Sequence, residues 1–287
     1  MITFETLRGP FRVVDVYYPH PHEVVGLGER LAPNQIIHVR QAPFPFSAPR
    51  FEMGYAPSEV LLFDLTRDIE HLFSEANVNG RRQMKKAERV RDRIEVRRND
   101  AEAYRDFIAI YNGFVGIKKY TEKITQKRLD ALKPFADVLV AYFDKRPLCG
   151  HLSIRDERLR RVGVIWSAST RLKGEAAPNL IASVNRWLHW YEMRLYKSEN
   201  MNIYDLGRIG TSTPEEAAIT RFKLSFGGTR VLEHDYTMAG LAAHVAMRFL
   251  YAFRRIRSVG WKRKSELGQR QPVCPLVTSS GDPRLSS

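Results

Sequence analysis

The chain has 287 residues, 44% of them hydrophobic and 27% charged, which is enough apolar material for a sizeable core and excludes a disordered protein. Its longest apolar run, around Met238 to Phe253, is interrupted by His244 and Arg248, and the opening Met-Ile-Thr-Phe-Glu lacks the features of a secretion signal, so neither a membrane span nor export is expected. A net charge of +14 points to an anionic partner: nucleic acid, phospholipid, a phosphorylated cofactor or a nucleotide-linked substrate.

In chain order, Phe11–Tyr18 and Gln35–Val39 read as strands, and the Pro-rich stretch from Pro43 to Pro57 reads as irregular. Val60–Leu65 is a further strand, followed by a capped helix start at Thr66 and Asp68 and a basic helix from about Asn79 to Val90. From there the periods become clear: a strand over Arg93–Arg97, a helix from Asp100 to Val115, a second over about Thr125–Phe135, and strands over Asp137–Phe143, Leu148–Ile154 and Val162–Ser167. A Gly-containing loop then leads to a long helix from Pro178 to Ser198, a strand Asn202–Leu206, a helix Pro214–Phe226 and a strand Thr229–His234. Leu241–Arg257 reads as an amphipathic helix with a cationic far end, and the last residues, rich in Pro, Ser and Gly, read as a disordered tail.

Cys149 and Cys274 lie far apart in unlike surroundings, so no disulfide framework is expected. No metal-ligand spacing stands out, and His20-Pro-His22 reads as loop chemistry, so no metal is expected. Trp187, Trp190 and Tyr191 fall at core spacing on the long helix.

Two stretches carry candidate chemistry. Ser167-Ala-Ser-Thr-Arg171-Leu-Lys173-Gly174-Glu-Ala176-Ala-Pro178-Asn179 sits between a strand and a helix N-terminus, where backbone N–H groups and cations can hold a diphosphate, although a Gly turn with Pro at the first helical position explains it too. The second is Asn202-Ile-Tyr204-Asp205-Leu-Gly207-Arg208-Ile-Gly210, with the downstream Arg221-Phe-Lys223-Leu-Ser-Phe226-Gly-Gly228.

The order strand, two helices, three strands, helix, strand, helix, strand resembles the GNAT acyltransferase fold. Arg171-x-x-Gly174-x-Ala176 resembles the loop with which those enzymes hold the pyrophosphate of coenzyme A, with Glu175 as a departure from the pattern. Tyr204-Asp205-Leu-Gly207 and Phe222-Lys223-x-x-Phe226-Gly-Gly228 resemble segments of the FemABX aminoacyltransferases and their single-domain relatives, as do Leu62–Thr66 and Arg81–Arg89 upstream. The resemblance covers roughly residues 60 to 237 and implies an α/β fold whose mixed, splayed sheet is flanked by helices. The implied organisation is a partial or degenerate GNAT-like region over 1–90, the acyltransferase domain over 91–237, an amphipathic basic helix over 238–260 and a tail over 261–287.

The reaction implied is direct attack of an amine on a thioester or ester carbonyl, which needs a proton acceptor, oxyanion donors and a proton source for the leaving group. Backbone N–H groups near Ile165 and Trp166 would serve the oxyanion, and Ser167, Arg171, Lys173, Gly174, Ala176 and Asn179 would hold the donor. Asp205 is the first candidate base and His151 the second, while Tyr204 is a possible proton donor and the resemblance implies a place for Lys223 near the reacting phosphate or carbonyl. Each also has an ordinary reading, as a turn-fixing carboxylate, a core histidine, a packing tyrosine or a helix-surface lysine.

The resemblance thus implies an acyltransferase using acetyl-CoA or another acyl-CoA, acting on the amine of a sugar-nucleotide or lipid-linked glycan for the cell envelope. The chain is expected to be cytoplasmic, with a contact to the inner face of the membrane through residues 241–264. A tRNA-borne aminoacyl donor is the second reading, and a non-catalytic nucleic-acid or membrane-binding scaffold the third.

Overall fold

A computed structural model describes residues 1–29, 31–46, 52–118, 123–172 and 177–249. Its centre is one ten-stranded sheet in the order β1-β2-β3-β10-β4-β9-β8-β7-β6-β5. The strands are β1 (Ile2–Arg8), β2 (Phe11–Tyr17), β3 (Gln35–Ala42), β4 (Glu52–Asp64), β5 (Ile94–Arg98), β6 (Ala136–Phe143), β7 (Arg146–Asp156), β8 (Arg161–Ser169), β9 (Ile203–Ile209) and β10 (Thr229–Ala239). The helices are α1 (Pro21–Glu29), α2 (Ile69–Glu75), α3 (Val78–Glu88), α4 (Ala101–Lys118), α5 (Gln126–Leu132), α6 (Pro178–Ser198) and α7 (Pro214–Leu224). Residues 241–249 form a further helix, and the rest of the expected amphipathic segment and the tail lie outside the described residues.

Strand periodicity sorts the side chains into two layers. Leu139 and Ala141 of β6 face α2, α3 and α6, in a core with Leu72, Met84, Val184, Trp187 and Phe226. Val138, Val140 and Tyr142 face the opposite way, onto Phe107 and Ile110 of α4 and Leu129 of α5. Trp187 and Trp190 are core residues, as their helical spacing suggests.

Three N-terminal features differ from the sequence reading. β1 pairs antiparallel with β2, and α1 begins at Pro21, so His20-Pro-His22 marks a helix start. Proline fits the first turn of a helix, where its missing N–H has no intrahelical partner to lose. The Pro-rich stretch holds the first half of β4, with Pro57 opposite His234 of β10. β9 joins the other edge of β4 only from Glu59 onward, so Pro57 needs no N–H on that side.

β10 lies between β3 and β4, pairing antiparallel with both, so the N-terminal strands and the C-terminal elements share one sheet. Among the described residues, no helix is long and apolar enough to cross a membrane. The 241–249 helix buries Ala243 against Val13 and Ile36 and leaves Leu241, Val245 and Phe249 exposed at four-residue intervals.

Candidate active site

β8 and β9 run parallel but pair over only three positions, Arg161 with Ile203, Val162 with Tyr204 and Gly163 with Asp205. Beyond Gly163 they diverge. On its other edge β8 carries an irregularity: Leu152 faces Trp166, Ser153 faces Val164, and Ile165 between them has no opposite residue. A β-bulge of this kind breaks the ladder and re-aims the backbone. Ile165 therefore has no strand partner in either register.

Two cavities meet at this gap. One, of about 430 Å³, lies between β8, α6 and α7, with Phe114, Ile165, Ser167, Arg171, Asn185, His189, Phe222 and Lys223 among its lining residues. The other, of about 320 Å³, opens toward the N-terminal strands and is lined by Tyr17, Arg40, Gln41, Gly207, Arg208 and Asp235. Val164, Ile165 and Lys223 line both.

Lys223 reaches the gap from α7. Its ammonium donates to the Arg208 carbonyl oxygen at 2.8 Å. Burial lowers its pKa to about 8, with Asp205 opposing that shift and Arg208 adding to it. Gly207, with φ +74°, brings the chain close, since a Cβ there would stand 3.7 Å from Lys223 Nζ. The flanking Phe222 and Phe226 lie 5.8 and 5.4 Å from the His189 ring, which places Lys223 between two aromatic anchors. Gly227 and Gly228 adopt φ of +88° and +85° where a Cβ would run into Glu75 and Phe63, which accounts for the Phe-Gly-Gly run in packing terms.

Asp205 sits where β8 and β9 part, fully buried. Its Oδ2 accepts from Arg161 at 2.6 Å, from Gln41 at 2.7 Å and from Tyr18 at 3.3 Å, and its Oδ1 accepts from the Gly207 N–H at 2.6 Å. Arg161 also pairs with Glu233 at 2.6 Å. The Asp205 carboxylate thus ties β8, β9 and β10 to the N-terminal strands. Gly163 leaves the necessary space, because a Cβ there would fall 2.0 Å from the Tyr18 hydroxyl.

His151 and Tyr204 lie beneath the gap rather than in it. His151 Nδ1 is 2.9 Å from Glu192, and the Tyr204 hydroxyl donates to the same carboxylate. His151, His189 and Glu192 each bring one possible ligand atom within 4.8 Å of the others. The two imidazoles, however, stack with centroids 3.8 Å apart and planes 19° apart. A metal bonds a ring nitrogen in the ring plane, so one ion cannot serve two nearly parallel stacked rings, and the group is a hydrogen-bonded cluster.

Of the remaining candidates, Ile165, Ser167 and Arg171 line the 430 Å³ cavity. Trp166 turns away to pack on Tyr111 and Arg128. Asn179 faces a separate groove of about 770 Å³ along α3, lined by Arg81, Arg82, Lys85, Lys86 and Arg89. Lys173, Gly174 and Ala176 lie outside the described residues.

Sequence reasoning passed over His189, Glu192, Arg161, Arg40 and Asp235. The signal for the first two was present, as polar residues three apart on the otherwise apolar face of α6. The others become visible only when β2, β3 and β10 come together.

A mixed sheet whose central parallel strands part around a cleft, with a bulge on one of them, is the GNAT fold. Solved structures with this architecture include FemX (TM-score 0.59, 10% identity, 82% of this chain and 83% of that one). The C-terminal domain of an Agrobacterium fabrum protein described as a lysylphosphatidylglycerol synthetase aligns with TM-score 0.55 and 13% identity over 86% of this chain and 83% of that one. L-PGS from Bacillus licheniformis aligns with TM-score 0.51 and 12% identity over 83% and 80%. No protein-family model and no curated protein sequence matches the chain.

Proposed function

We propose that the protein is an N-acyltransferase that brings donor and acceptor to the gap between β8 and β9 from opposite sides. The observation that carries this reading is the pair of cavities sharing Val164, Ile165 and Lys223. The donor occupies the larger, more apolar cleft against Phe114 and Phe222, with Arg171 toward its phosphates. The acceptor enters beside Arg40, Arg208 and Asp235.

In this reading the acceptor nitrogen bonds to the acyl carbon, and the carbonyl oxygen takes up negative charge at the bulge, where the Ile165 N–H can donate. The carbon–sulfur or carbon–oxygen bond of the donor then breaks, and the Lys223 ammonium protonates the leaving atom. The proton lost by the amine passes to Asp235 or to water in the acceptor mouth. Asp235, beside Arg40 at 3.5 Å and Arg208 at 3.2 Å, combines a carboxylate for an ammonium with cations for an anionic group. Asp205 serves as an ion-paired anchor, since Arg161, Gln41, Tyr18 and Gly207 already occupy its oxygens.

An acetyl or other short acyl thioester of coenzyme A is the donor we favour, because the Arg171-x-x-Gly174-x-Ala176 sequence precedes α6 and the cleft that Arg171 lines is apolar. The acceptor we favour is an amino sugar on a nucleotide or lipid carrier, whose phosphates would suit Arg40 and Arg208. A second reading, an aminoacyl-tRNA donor, is favoured by the cationic α3 groove that reaches Asn179 at the start of α6. Contact with an anionic membrane through the exposed Leu241, Val245 and Phe249 would suit a lipid-linked acceptor.

The test is thermal-shift titration of the full chain with acetyl-CoA, coenzyme A and aminoacyl-tRNA, followed by transfer assays on amine acceptors. Stabilisation by acetyl-CoA with acetyl transfer supports the first donor. Transfer from aminoacyl-tRNA alone supports the second. No transfer from either donor to any amine removes the enzyme reading.

A further inference from the structure

Four titratable side chains that the transfer step does not use lie beneath the donor cleft: His151 of β7, His189 and Glu192 of α6, and Tyr204 of β9. All are at most 2% exposed. Burying a carboxylate and two imidazoles carries a desolvation cost that well-packed apolar residues would avoid. Stability alone therefore does not explain them.

The cluster forms a chain whose two ends return to the cleft. His151 Nδ1 stands 2.9 and 3.0 Å from the two Glu192 oxygens, and its Nε2 stands 3.2 Å from Asn185 Oδ1. The Tyr204 hydroxyl donates to Glu192 Oε2 and lies 2.8 Å from His189 Nδ1. Asn185 and His189 both line the cleft.

The proton positions follow by elimination. Burial opposes the charge on Glu192, but the neighbouring His151 outweighs it and holds the pKa down to about 2, so Glu192 is an ionised acceptor. Burial pushes the Tyr204 phenol well above its ordinary range, so it keeps its single proton and gives it to Glu192. The phenol oxygen can then only accept from His189, whose Nδ1 must carry a hydrogen. Burial and the adjacent His151 bring the His189 pKa down to about 3, so the ring is neutral and its lone pair is on Nε2. That nitrogen makes no hydrogen bond among the described residues.

We infer that His189 offers Nε2 to the donor cleft as a bare hydrogen-bond acceptor, with Tyr204 and Glu192 as positioning residues that lock this tautomer. The matching ligand group is an N–H of the bound donor, which an amide of the coenzyme A arm or the amino group of an aminoacyl ester would each supply. The choice of ligand rests on the acyl-transfer reading above, whereas the tautomer does not.

The test uses the full chain with ring-labelled histidine, and long-range proton–nitrogen correlation near neutral pH to read each ring nitrogen. A protonated Nδ1 and bare Nε2 for His189, assigned by its disappearance in His189→Gln, is the expected result. Tyr204→Phe leaves Glu192 Oε2, 3.6 Å from His189 Nδ1, as a remaining acceptor, so the double variant Tyr204→Phe/Glu192→Leu, which removes both, should yield a mixture of tautomers. Acetyl-CoA and an aminoacyl-adenosine are then added separately, and the one that shifts Nε2 identifies the source of the N–H. In the transfer assay His189→Leu should raise the donor KM about tenfold, the worth of one hydrogen bond, and His189→Gln, whose amide oxygen replaces Nε2, should restore it. A protonated Nε2 in the wild type, or an unchanged tautomer in Tyr204→Phe/Glu192→Leu, overturns the lock. Indifference of Nε2 to both probes overturns the subsite. Failure of acyl transfer in the assays would not touch the tautomer, which the correlation spectrum decides by itself.

Discussion

Lys223 and Arg208 are joined through the backbone, the lysine ammonium donating to the Arg208 carbonyl oxygen at 2.8 Å, while the Arg208 guanidinium reaches Asp235 at 3.2 Å on the acceptor side. One residue of β9 thus orients the Lys223 ammonium and braces the Asp235 carboxylate across the gap. In the acyl transfer proposed above, the charge state of Lys223 is then the variable that sets the rate.

With its pKa brought down to about 8 by burial, Lys223 is the protonated donor below that pH and loses its proton above it. The transfer rate constant should therefore hold steady on the acid side of pH 8 and fall as pH rises through about 8. Lys223→Met should lower kcat by about 10²–10⁴-fold and abolish that alkaline limb. Folding carries the opposite sign. Between the folded value and the ordinary lysine value the unfolded chain binds more protons, so stability rises with pH across that window. Lys223→Met removes the low-pH penalty and should raise the melting temperature at neutral pH, which calorimetry at two pH values checks.

Asp205→Asn separates an anchor from a base. Removing one partner of a buried ion pair costs about 3–5 kcal/mol, and Arg161 and Glu233 would be left out of balance. Denaturant unfolding should show a loss of that order. Unchanged stability with kcat alone abolished would return Asp205 to the role of general base.

Gly163 and Tyr18 form a fitted pair, since a Cβ at Gly163 would meet the Tyr18 hydroxyl at 2.0 Å. Gly163→Ala should destabilise the fold by about 1–3 kcal/mol through overpacking. Adding Tyr18→Phe removes the colliding oxygen and should recover part of the loss, although the ring carbon that bore it stands 3.3 Å from the same point. A double-mutant cycle by chemical denaturation measures the coupling, and strict additivity of the two changes would contradict the contact.

The C-terminal elements were legible in the sequence because local pattern decided them. β6, β7 and β8 follow one another through short turns, the first at Asp144 and Lys145 with φ of 48° and 64°, and α6 carries a long apolar stripe. The N-terminal half was obscure where tertiary context overrode local signals: Pro57 belongs to a strand because β10 supplies its partner, and Gly26 lies inside α1 despite its low helix propensity. The site divides the same way. Lys223 could be picked from its flanking Phe222 and Phe226, but its acceptor-side neighbours Arg40 and Asp235 are separated by 195 residues of chain (235 − 40) and meet only in the finished sheet. His151 was singled out in the sequence; Glu192, marked by its place on the apolar face of α6, could have been, but that the two meet is visible only once β7 lies against that helix.

The α3 groove distinguishes the two donors. Arg82, Lys86 and Arg89 line it together with Arg81 and Lys85. Each cation that neutralises a phosphate on a nucleic acid releases counterions, so binding weakens with salt roughly in proportion to the number of contacts. With an aminoacyl-tRNA donor, replacing Arg82, Lys86 and Arg89 by alanine should weaken tRNA binding and flatten the slope of log affinity against log salt by up to about 3. The same triple variant should leave acetyl-CoA binding nearly unchanged if the thioester sits wholly in the cleft between β8 and α7, because none of the three lines that cavity. Fluorescence anisotropy with labelled tRNA and calorimetry with acetyl-CoA, each over a range of salt, measure both. A flat salt response to tRNA in the parent protein would leave the groove without a nucleic-acid role and favour the coenzyme A donor, whereas loss of acetyl-CoA binding in the variant would extend the donor site onto α3.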